Sequence, residues 1–142
     1  MIENLSLLYL GTEVFMAGRG GRRMSALLEE LRAMGCDIDG AMARFLNNED
    51  FYVRCLKKML KDPSFAALGE ALKQSDAENA FHQAHTLKGV VANMGITPLY
   101  DLTVEIVEPL RHGDCNPGLW SVYEKLLANK EEYQELIDRL GV

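Results

Sequence analysis

A histidine, a lysine and a glycine stand close together in one apolar segment, as His85, Lys88 and Gly89 within Ala84-His85-Thr86-Leu87-Lys88-Gly89. A neutral imidazole is a nucleophile that can accept a phosphoryl group, and the anion that then forms needs a nearby cation. In a helix, the lysine stands one turn after the histidine and can supply that cation. A glycine inside a helix costs about 1 kcal/mol relative to alanine, so it indicates a need for clearance or for close helix–helix packing. These three residue types predict a histidine that carries a phosphoryl group.

The segment around His85 has the periodicity of a helix, which predicts where its side chains point. At about 100° per residue, an apolar stripe faces the core and His85 lies on an exposed flank. Lys88 falls between His85 and the stripe, so its stem can cover apolar surface while its ammonium group stays near the imidazole. The stripe that we expect to be buried consists of Ala80, Ala84, Leu87, Val91 and Met94.

Small side chains surround His85 on the predicted flank. Gly89 and Ala92 lie within about 40° of it around the helix, which leaves the imidazole above a shallow surface. His82 points almost directly away from the core, so it belongs to the rim of this surface rather than to its centre. We expect Phe81, His82 and Ala92 to contact a protein partner through an apolar patch ringed by polar groups.

Helical periodicity extends over most of the chain, and no alternating strand pattern of useful length occurs. Short loops between long amphipathic helices are typical of antiparallel neighbours. We therefore expect an all-α fold, an antiparallel four-helix bundle with additional short N-terminal helices. The expected core side chains outside the His85 helix include Tyr52, Cys55, Leu56, Met59, Leu60, Leu68, Leu72, Trp120, Tyr123, Leu126, Leu127, Tyr133, Leu136, Ile137 and Leu140.

Capping residues predict where the helices begin and end. Thr97 followed by Pro98 predicts a cap with proline at the first helical position. Pro109 falls inside the helix that follows and predicts a kink or an early end before the helix reaches about Arg111. The other predicted caps are Asp37 or Asp39, Asn48, and Asp76 or Ser75 at helix starts, Pro117 at the start of the last helix, and Gly35, Gly95 and Gly113 at helix ends.

Composition limits the class of protein. The chain has 142 residues, of which 48% are hydrophobic, enough for one domain with a single core. Its net charge of −6 argues against nucleic acid as a partner, and no apolar stretch approaches the length of about 20 residues that spans a bilayer. Three cysteines without a C-x-x-C motif fit a reduced, cytoplasmic protein.

The first 23 residues differ from the rest of the chain. The segment 18–23, with three glycines and three arginines, predicts a flexible basic linker. The apolar run 5–10 lacks a basic region before it and is a poor signal peptide. We therefore divide the chain into a leader or flexible tail at 1–23 and a domain at 24–142. The alternative for residues 1–23 is an extra helix that packs on the domain or contacts a partner.

The motif around His85, followed by Asn93-Met94-Gly95, resembles the signature of histidine-containing phosphotransfer (HPt) domains of two-component phosphorelays. The resemblance covers about 27–136. Val90, where the family often has a small polar residue, and Pro109 depart from the pattern. Further matches are Gly35-Cys36-Asp37-Ile38-Asp39, Ala43-Arg44-Phe45, Asn48-Glu49-Asp50, Tyr52, Leu99, Leu102, Val107-Glu108 and Arg111-His112-Gly113-Asp114.

The resemblance implies a phosphoryl carrier without a kinase active site of its own. It implies that His85 is phosphorylated on Nε2, that Lys88 neutralises the phosphoryl charge, and that Gly89 allows close approach. The implied partners are response-regulator receiver domains, a hybrid sensor histidine kinase, or both, and the phosphoryl group passes between receiver aspartates through the histidine. The chain itself needs no cofactor, because the receiver brings Mg²⁺, and we expect a monomer.

Two alternatives and one further surface follow from the residues alone. Glu78, His82 and His85 share a helix face and allow a metal-binding helix bundle, although they point outward. A protein-interaction module with the same fold but no phosphotransfer is the other alternative.

Separately, a basic stripe on one helix is either an ordinary solvated face or a surface that steers an acidic receiver. The stripe consists of Arg54, Lys57, Lys58 and Lys61.

Overall fold

The computed structural model describes residues 12–142, with side chains described from residue 21 onward. This part of the chain is helical and contains no strand, which confirms the all-α prediction. None of its helices combines the length and apolar character needed to cross a membrane. The helices are α1 (Thr12–Ala33), α2 (Ile38–Arg44), α3 (Glu49–Met59), α4 (Ser64–Lys73), α5 (Ala77–Met94), α6 (Thr97–Arg111) and α7 (Gly118–Leu140).

The last four helices form the bundle. Helix α5 packs between α4 and α6, while α7 contacts both α6 and α4 and so closes the ring. The loops within the ring are short, as antiparallel neighbours require. The three earlier helices lie outside the ring, where α1 packs on α7, α3 and α2, and both α2 and α3 pack on α5. The helix that carries His85 is therefore supported from several directions.

The core is built mainly from the predicted apolar stripes. Fully buried side chains include Leu56, Leu68, Leu87 and Leu126, with Tyr133 among the largest. The prediction was wrong for Leu127, whose side chain is 37% exposed. Adjacent helical residues point about 100° apart, so the burial of one leucine turns the next toward solvent. Four other predicted core side chains are only partly buried: Cys55, Leu72, Trp120 and Leu140.

Predicted caps account for three helix starts. Asp37, Asn48 and Asp76 each accept a hydrogen bond from the backbone N–H three residues later, at 3.1, 3.0 and 3.1 Å. The prediction for Thr97 was wrong, because Ile96 is the capping residue of α6 and Thr97 is already helical. The Thr97 hydroxyl instead faces the carbonyl of the preceding glycine at 3.5 Å, and Ile96 is completely buried.

Pro109 stands in the last turn of α6. The helix continues two residues beyond it and ends at Arg111, so the predicted end is confirmed and the alternative of an early end at Pro109 was wrong. The Pro109 carbonyl accepts hydrogen bonds from the N–H groups of His112 and Asp114 at 3.1 and 3.0 Å. The proline has no N–H to donate to the Glu105 carbonyl, and because Glu105 is exposed, water can hydrogen-bond to that carbonyl instead.

Six of the seven helices in the described part end in the same way. The N–H of one residue at the helix end bonds to a carbonyl three residues earlier, and the N–H of the next residue bonds to a carbonyl five residues earlier. This Schellman ending requires a left-handed backbone, which favours glycine. The left-handed residues are Gly35, Leu46, Ser75, Gly95, Gly113 and Gly141. Leu46 is the largest of them, and a left-handed conformation costs a non-glycine residue about 1–2 kcal/mol.

Helix α1 is longer than the sequence predicts. It runs continuously through the segment 18–23, where the glycine and arginine pattern predicts a flexible basic linker. The Arg23 guanidinium donates to the Gly141 carbonyl at 3.3 Å, which ties this helix to the end of α7. Residues 1–11 of the predicted leader lie outside the described residues, and the domain boundary at residue 23 remains a prediction.

Candidate functional site

Helix α5 presents the His85 motif on a regular, well-packed scaffold. The five side chains of the predicted apolar stripe, from Ala80 to Met94, are all buried. The opposite flank is open, and His85 is exposed there. The helical-wheel prediction for the orientation of this histidine is therefore confirmed.

The His85 ring has an aromatic neighbour one turn earlier on the same helix. The ring centroids of Phe81 and His85 are 5.5 Å apart and the ring planes are inclined by 35°. Phe81 is half-buried, so its ring is held by the bundle. His85 remains exposed despite this contact.

Arg111 contacts the Phe81 ring of this pair from the neighbouring helix. Its guanidinium carbon lies 5.5 Å from the centroid of the Phe81 ring, a cation–π contact between the last turn of α6 and the middle of α5. The same guanidinium lies 3.6 Å from a carboxylate oxygen of Glu108. The sequence pattern includes Arg111 among the matching residues but gives no sign that it belongs beside Phe81, because that contact joins two helices.

Lys88 lies one helical turn after His85. Its side chain is half-buried, whereas His85 is exposed. This is the position expected for a lysine whose methylene groups lie along apolar surface while its ammonium group reaches solvent. Lys88 therefore contributes a cation on the side of His85 that faces the core edge.

Gly89 is not required for packing within the described part of the chain. A Cβ atom placed on it would meet nothing within 4 Å. By contrast, a Cβ atom at Gly69 would collide with the Tyr123 ring, and one at Gly95 would collide with the Asp37 carbonyl oxygen. The sequence offers two explanations for Gly89, close helix–helix packing and clearance for another molecule. Among the described residues no helix packs against this position, so clearance is the explanation that the structure supports.

The other predicted partner-binding residues lie on the same surface. His82 and Ala92 are exposed and Phe81 is half-buried. The His82 carbonyl accepts a hydrogen bond from the Thr86 hydroxyl at 3.0 Å, a contact that stays within the helix. The structure thus places the six predicted site residues on one face of α5.

The C-terminal end of α5 is held by side chains that the sequence analysis did not assign to the site. Arg44 on α2 donates from Nε to the Asn93 carbonyl and from Nη2 to the Ala92 carbonyl, both at 3.0 Å. These carbonyls belong to the last turn, where helical donors run out. A cation at this end also opposes the negative end of the helix dipole.

Two more donors complete this junction. The Tyr52 hydroxyl on α3 donates to the Met94 carbonyl at 2.8 Å, and the Asp37 N–H donates to the Gly95 carbonyl at 2.8 Å. Tyr52 is completely buried, and burial raises the pKa of its hydroxyl above the ordinary value of 10.0. Four donor groups on three residues from outside the bundle, Asp37, Arg44 and Tyr52, therefore hold the end of the helix that carries His85.

The predicted basic stripe on α3 is only partly free. Arg54 pairs with an aspartate one turn earlier at 3.1 Å, and Lys57 donates to the Val142 carbonyl at 3.1 Å. The remaining two members, Lys58 and Lys61, are exposed.

Within the described side chains, no group of three His, Cys, Asp or Glu residues is arranged to hold a metal ion.

Comparison with known proteins identifies the bundle. The model of the Hpt domain family matches residues 62–140, more than half of the chain. This segment begins just before α4 and ends at the last residue of α7, so it coincides with the four helices of the ring. No curated protein and no solved structure gives a significant match. The chain belongs to the Hpt domain family, whose members are histidine phosphotransfer modules of phosphorelay signalling.

Proposed function

We propose that this protein relays a phosphoryl group between the aspartates of receiver domains through His85. The observation that carries the proposal is an exposed imidazole beside Gly89, where open space has no role in internal packing. A receiver must bring its aspartyl phosphate into line with the imidazole nitrogen, and a side chain in that space would obstruct it. Membership of a phosphotransfer family supports the same interpretation.

In the proposed step, Nε2 of His85 attacks the phosphorus of the aspartyl phosphate. The new N–P bond forms as the bond to the aspartate oxygen breaks, and the carboxylate leaves with the electron pair. The reverse step delivers the phosphoryl group to the aspartate of a second receiver. Such transfers depend on positioning and on charge neutralisation. Lys88 provides positive charge on this chain, and the receiver provides Mg²⁺.

Arg111 adds to this electrostatic environment. Its guanidinium contacts the Phe81 ring, which also packs on His85, so we expect its charge, partly offset by Glu108, to lower the electrostatic cost of an anion at the imidazole. Phe81 contacts both the imidazole and the guanidinium in this arrangement. The partner rim of Phe81, His82 and Ala92 then surrounds the reacting nitrogen.

The proposed protein is a carrier and not a kinase. Its partners are receiver domains, a hybrid sensor histidine kinase, or both, and it acts as a cytoplasmic monomer. Nucleotide and metal belong to these partners, because the proposed chemistry on this chain needs an imidazole and cations only. The alternative of an interaction module without transfer predicts binding of a receiver with no movement of phosphate.

A transfer experiment distinguishes these functions. Receiver domains from the same organism are phosphorylated with radiolabelled acetyl phosphate, freed of it, and mixed with the protein. We expect label to move to the wild type and to the matched control His112→Gln, but not to His85→Gln, and we expect the bound label to be lost in acid. Transfer to His85→Gln would overturn the assignment. Receiver binding without any transfer would favour the interaction module.

A further inference from the structure

Helix α3 exposes a ridge of charged side chains whose two ends carry opposite charge. Asp50, Arg54 and Lys58 stand four residues apart, so they follow one another along the helix surface, and all three are exposed. Glu49 adds a second acid at the start of the helix, and Lys61 adds an exposed cation just beyond its end. A helix with acids at one end and cations at the other is complementary to an antiparallel copy of itself.

A two-fold axis through Arg54 brings the two ends of the ridge into register. Asp50 precedes Arg54 and Lys58 follows it by the same number of residues, a helical rise of about 6 Å in each direction. In an antiparallel pair, Asp50 of each copy therefore stands opposite Lys58 of the other, and one contact forms two equivalent ion pairs. A parallel pair would instead place each charge opposite its own kind.

The centre of this contact holds Arg54 of both copies, and each arginine already has partners in its own chain. An Arg54 guanidinium nitrogen lies 3.1 Å from a carboxylate oxygen of Asp50, and the guanidinium carbon lies 5.6 Å from the centre of the Phe51 ring. These contacts reduce the repulsion between the two arginines. The ridge also has more cations than acids in a chain whose net charge is −6, so the acidic remainder of each copy attracts the ridge of the other.

Apolar side chains lie beside the ridge and add surface that a second copy can bury. Within the described residues, two of the three exposed large apolar side chains are Leu46, just before α3, and Phe51, at 87% and 46% exposure. Phe51 borders a groove of about 520 Å³ between α3 and α5, which Cys55 and Met59 also line. In the antiparallel register, Phe51 of each copy comes opposite the segment between Cys55 and Met59 of the other.

We propose that two copies of this chain pair through α3 in an antiparallel, two-fold symmetric contact, and that this dimer is a resting form in which access to His85 is obstructed. Val90 and Asn93 of α5 line the groove and follow His85 by about 7.5 and 12 Å of helical rise. A copy seated on α3 therefore stands beside His85, and the monomer is the species that transfers phosphate. The effect on transfer rests on the proposed function, whereas the dimer itself does not.

Two charge reversals test the antiparallel register. Asp50→Lys leaves only cations on the ridge and Lys58→Asp leaves acids at both of its ends, so each variant opposes like charges when it pairs with itself. We expect sedimentation to show dimerisation about tenfold weaker or more for either variant alone. An equimolar mixture should pair about as tightly as the wild type, because every lysine at these two positions then meets an aspartate of the other chain. A mixture that associates no better than the separate variants would overturn the antiparallel contact.

Phe51→Ala tests the apolar part of the contact without changing a charge. We expect it to weaken dimerisation severalfold, whereas the matched control Leu127→Ala, which removes an exposed leucine from α7, should leave the dimer unchanged. A wild-type protein that stays monomeric in sedimentation at millimolar concentration would overturn the proposal. Dimerisation that is unchanged in Phe51→Ala and in both charge variants would overturn it as well.

Transfer kinetics test the resting form with the same two charge variants. Each variant is mixed with a phosphorylated receiver, separately and then as the equimolar mixture at the same total concentration. We expect the mixture to accept label more slowly than the average of the separate variants, because only the mixture dimerises. Equal rates would overturn the resting form and leave the dimer. Absence of transfer from every receiver to the wild type would overturn the phosphotransfer function and the resting form together, while sedimentation alone decides on the dimer.

Discussion

Arg111 and Phe81 are joined across two helices, with 5.5 Å between the guanidinium carbon and the centre of the ring. The same phenyl ring packs on the imidazole of His85, with 5.5 Å between the two ring centroids. Lys88 lies one turn after this histidine on the same helix. The proposed site thus combines one cation fixed by local helix geometry with a second that depends on the packing of α6 against α5.

We predict that Arg111→Ala slows phosphotransfer to His85 severalfold and leaves the fold intact. The Arg111 charge is screened by its exposure to solvent and acts through Phe81, so its effect should be smaller than that of Lys88→Ala. Rapid-quench kinetics with a phosphorylated receiver would measure both variants. Arg139→Ala, which removes an exposed arginine from α7, is the control. A rate for Arg111→Ala equal to that of the control would show that the contact with Phe81 is structural only.

Gly89→Ala should have opposite effects on stability and on transfer. No atom lies within 4 Å of the added Cβ, so the change should raise the free energy of unfolding by about 1 kcal/mol through helix propensity. The methyl group would nevertheless stand where a receiver must approach His85, and we expect transfer to slow by about tenfold or more. Denaturant titration and transfer kinetics on the same preparation test this pair of effects. A stabilised variant with full transfer activity would contradict the role of Gly89 in clearance.

Arg44→Met tests the junction at the C-terminal end of α5. The variant keeps much of the apolar stem but loses both hydrogen bonds to the Ala92 and Asn93 carbonyls. Because Arg44 is exposed, we expect a modest loss of about 1 kcal/mol in the free energy of unfolding. Hydrogen exchange should become faster mainly in the last turn of α5. Arg54→Met is the control for removal of a surface arginine, and equal exchange rates in both variants would argue against a specific anchor.

Stability should fall in alkaline solution. Burial raises the pKa of the Cys36 thiol from 9.0 to about 11, and burial also raises the pKa values of the Tyr52 and Tyr133 hydroxyls. The unfolded chain therefore loses these protons first, and the protonated groups favour the folded state fully only below about pH 9. Each group should cost up to about 1.4 kcal/mol per pH unit as the pH rises from its unfolded pKa toward its folded pKa.

Urea unfolding between pH 7 and 11 measures this dependence. Cys36→Ala should reduce the slope that begins near pH 9, because the thiol has the lowest ordinary pKa of the three groups. Cys55→Ala provides a control, since that thiol is only partly buried. Identical slopes for the wild type and Cys36→Ala would show that the buried thiol does not contribute.

The parts of the site that the sequence predicts are those that depend on a single helix. The orientation of His85, the buried stripe beneath it, and the caps at Asp76 and Gly95 all follow from local periodicity and backbone chemistry. Contacts between helices could not be found in this way. The position of Arg111 over Phe81 and the bonds from Arg44 to α5 require the packing of elements that are distant in sequence.

The errors have similar physical causes. At Thr97 the sequence offers a good capping side chain, but burial of Ile96 moves the start of α6 by one residue. In α1 the glycines of segment 18–23 suggest a break, yet the helix runs through this segment. The same helix packs on α7 and α3. At Leu46 the preference for glycine is strong, and a leucine in that position could be recognised as unusual only once its left-handed backbone was known.

The junction at the end of α5 also defines the smallest fragment that can work. The family match begins at residue 62, whereas the donors to the carbonyls of α5 come from Asp37, Arg44 and Tyr52. A fragment limited to the matched residues would keep His85 and Lys88 but would leave four backbone carbonyls without these partners. The helices α2 and α3 therefore belong to the same folded unit as the four-helix ring, and any transplant of this module into another protein should begin before Asp37.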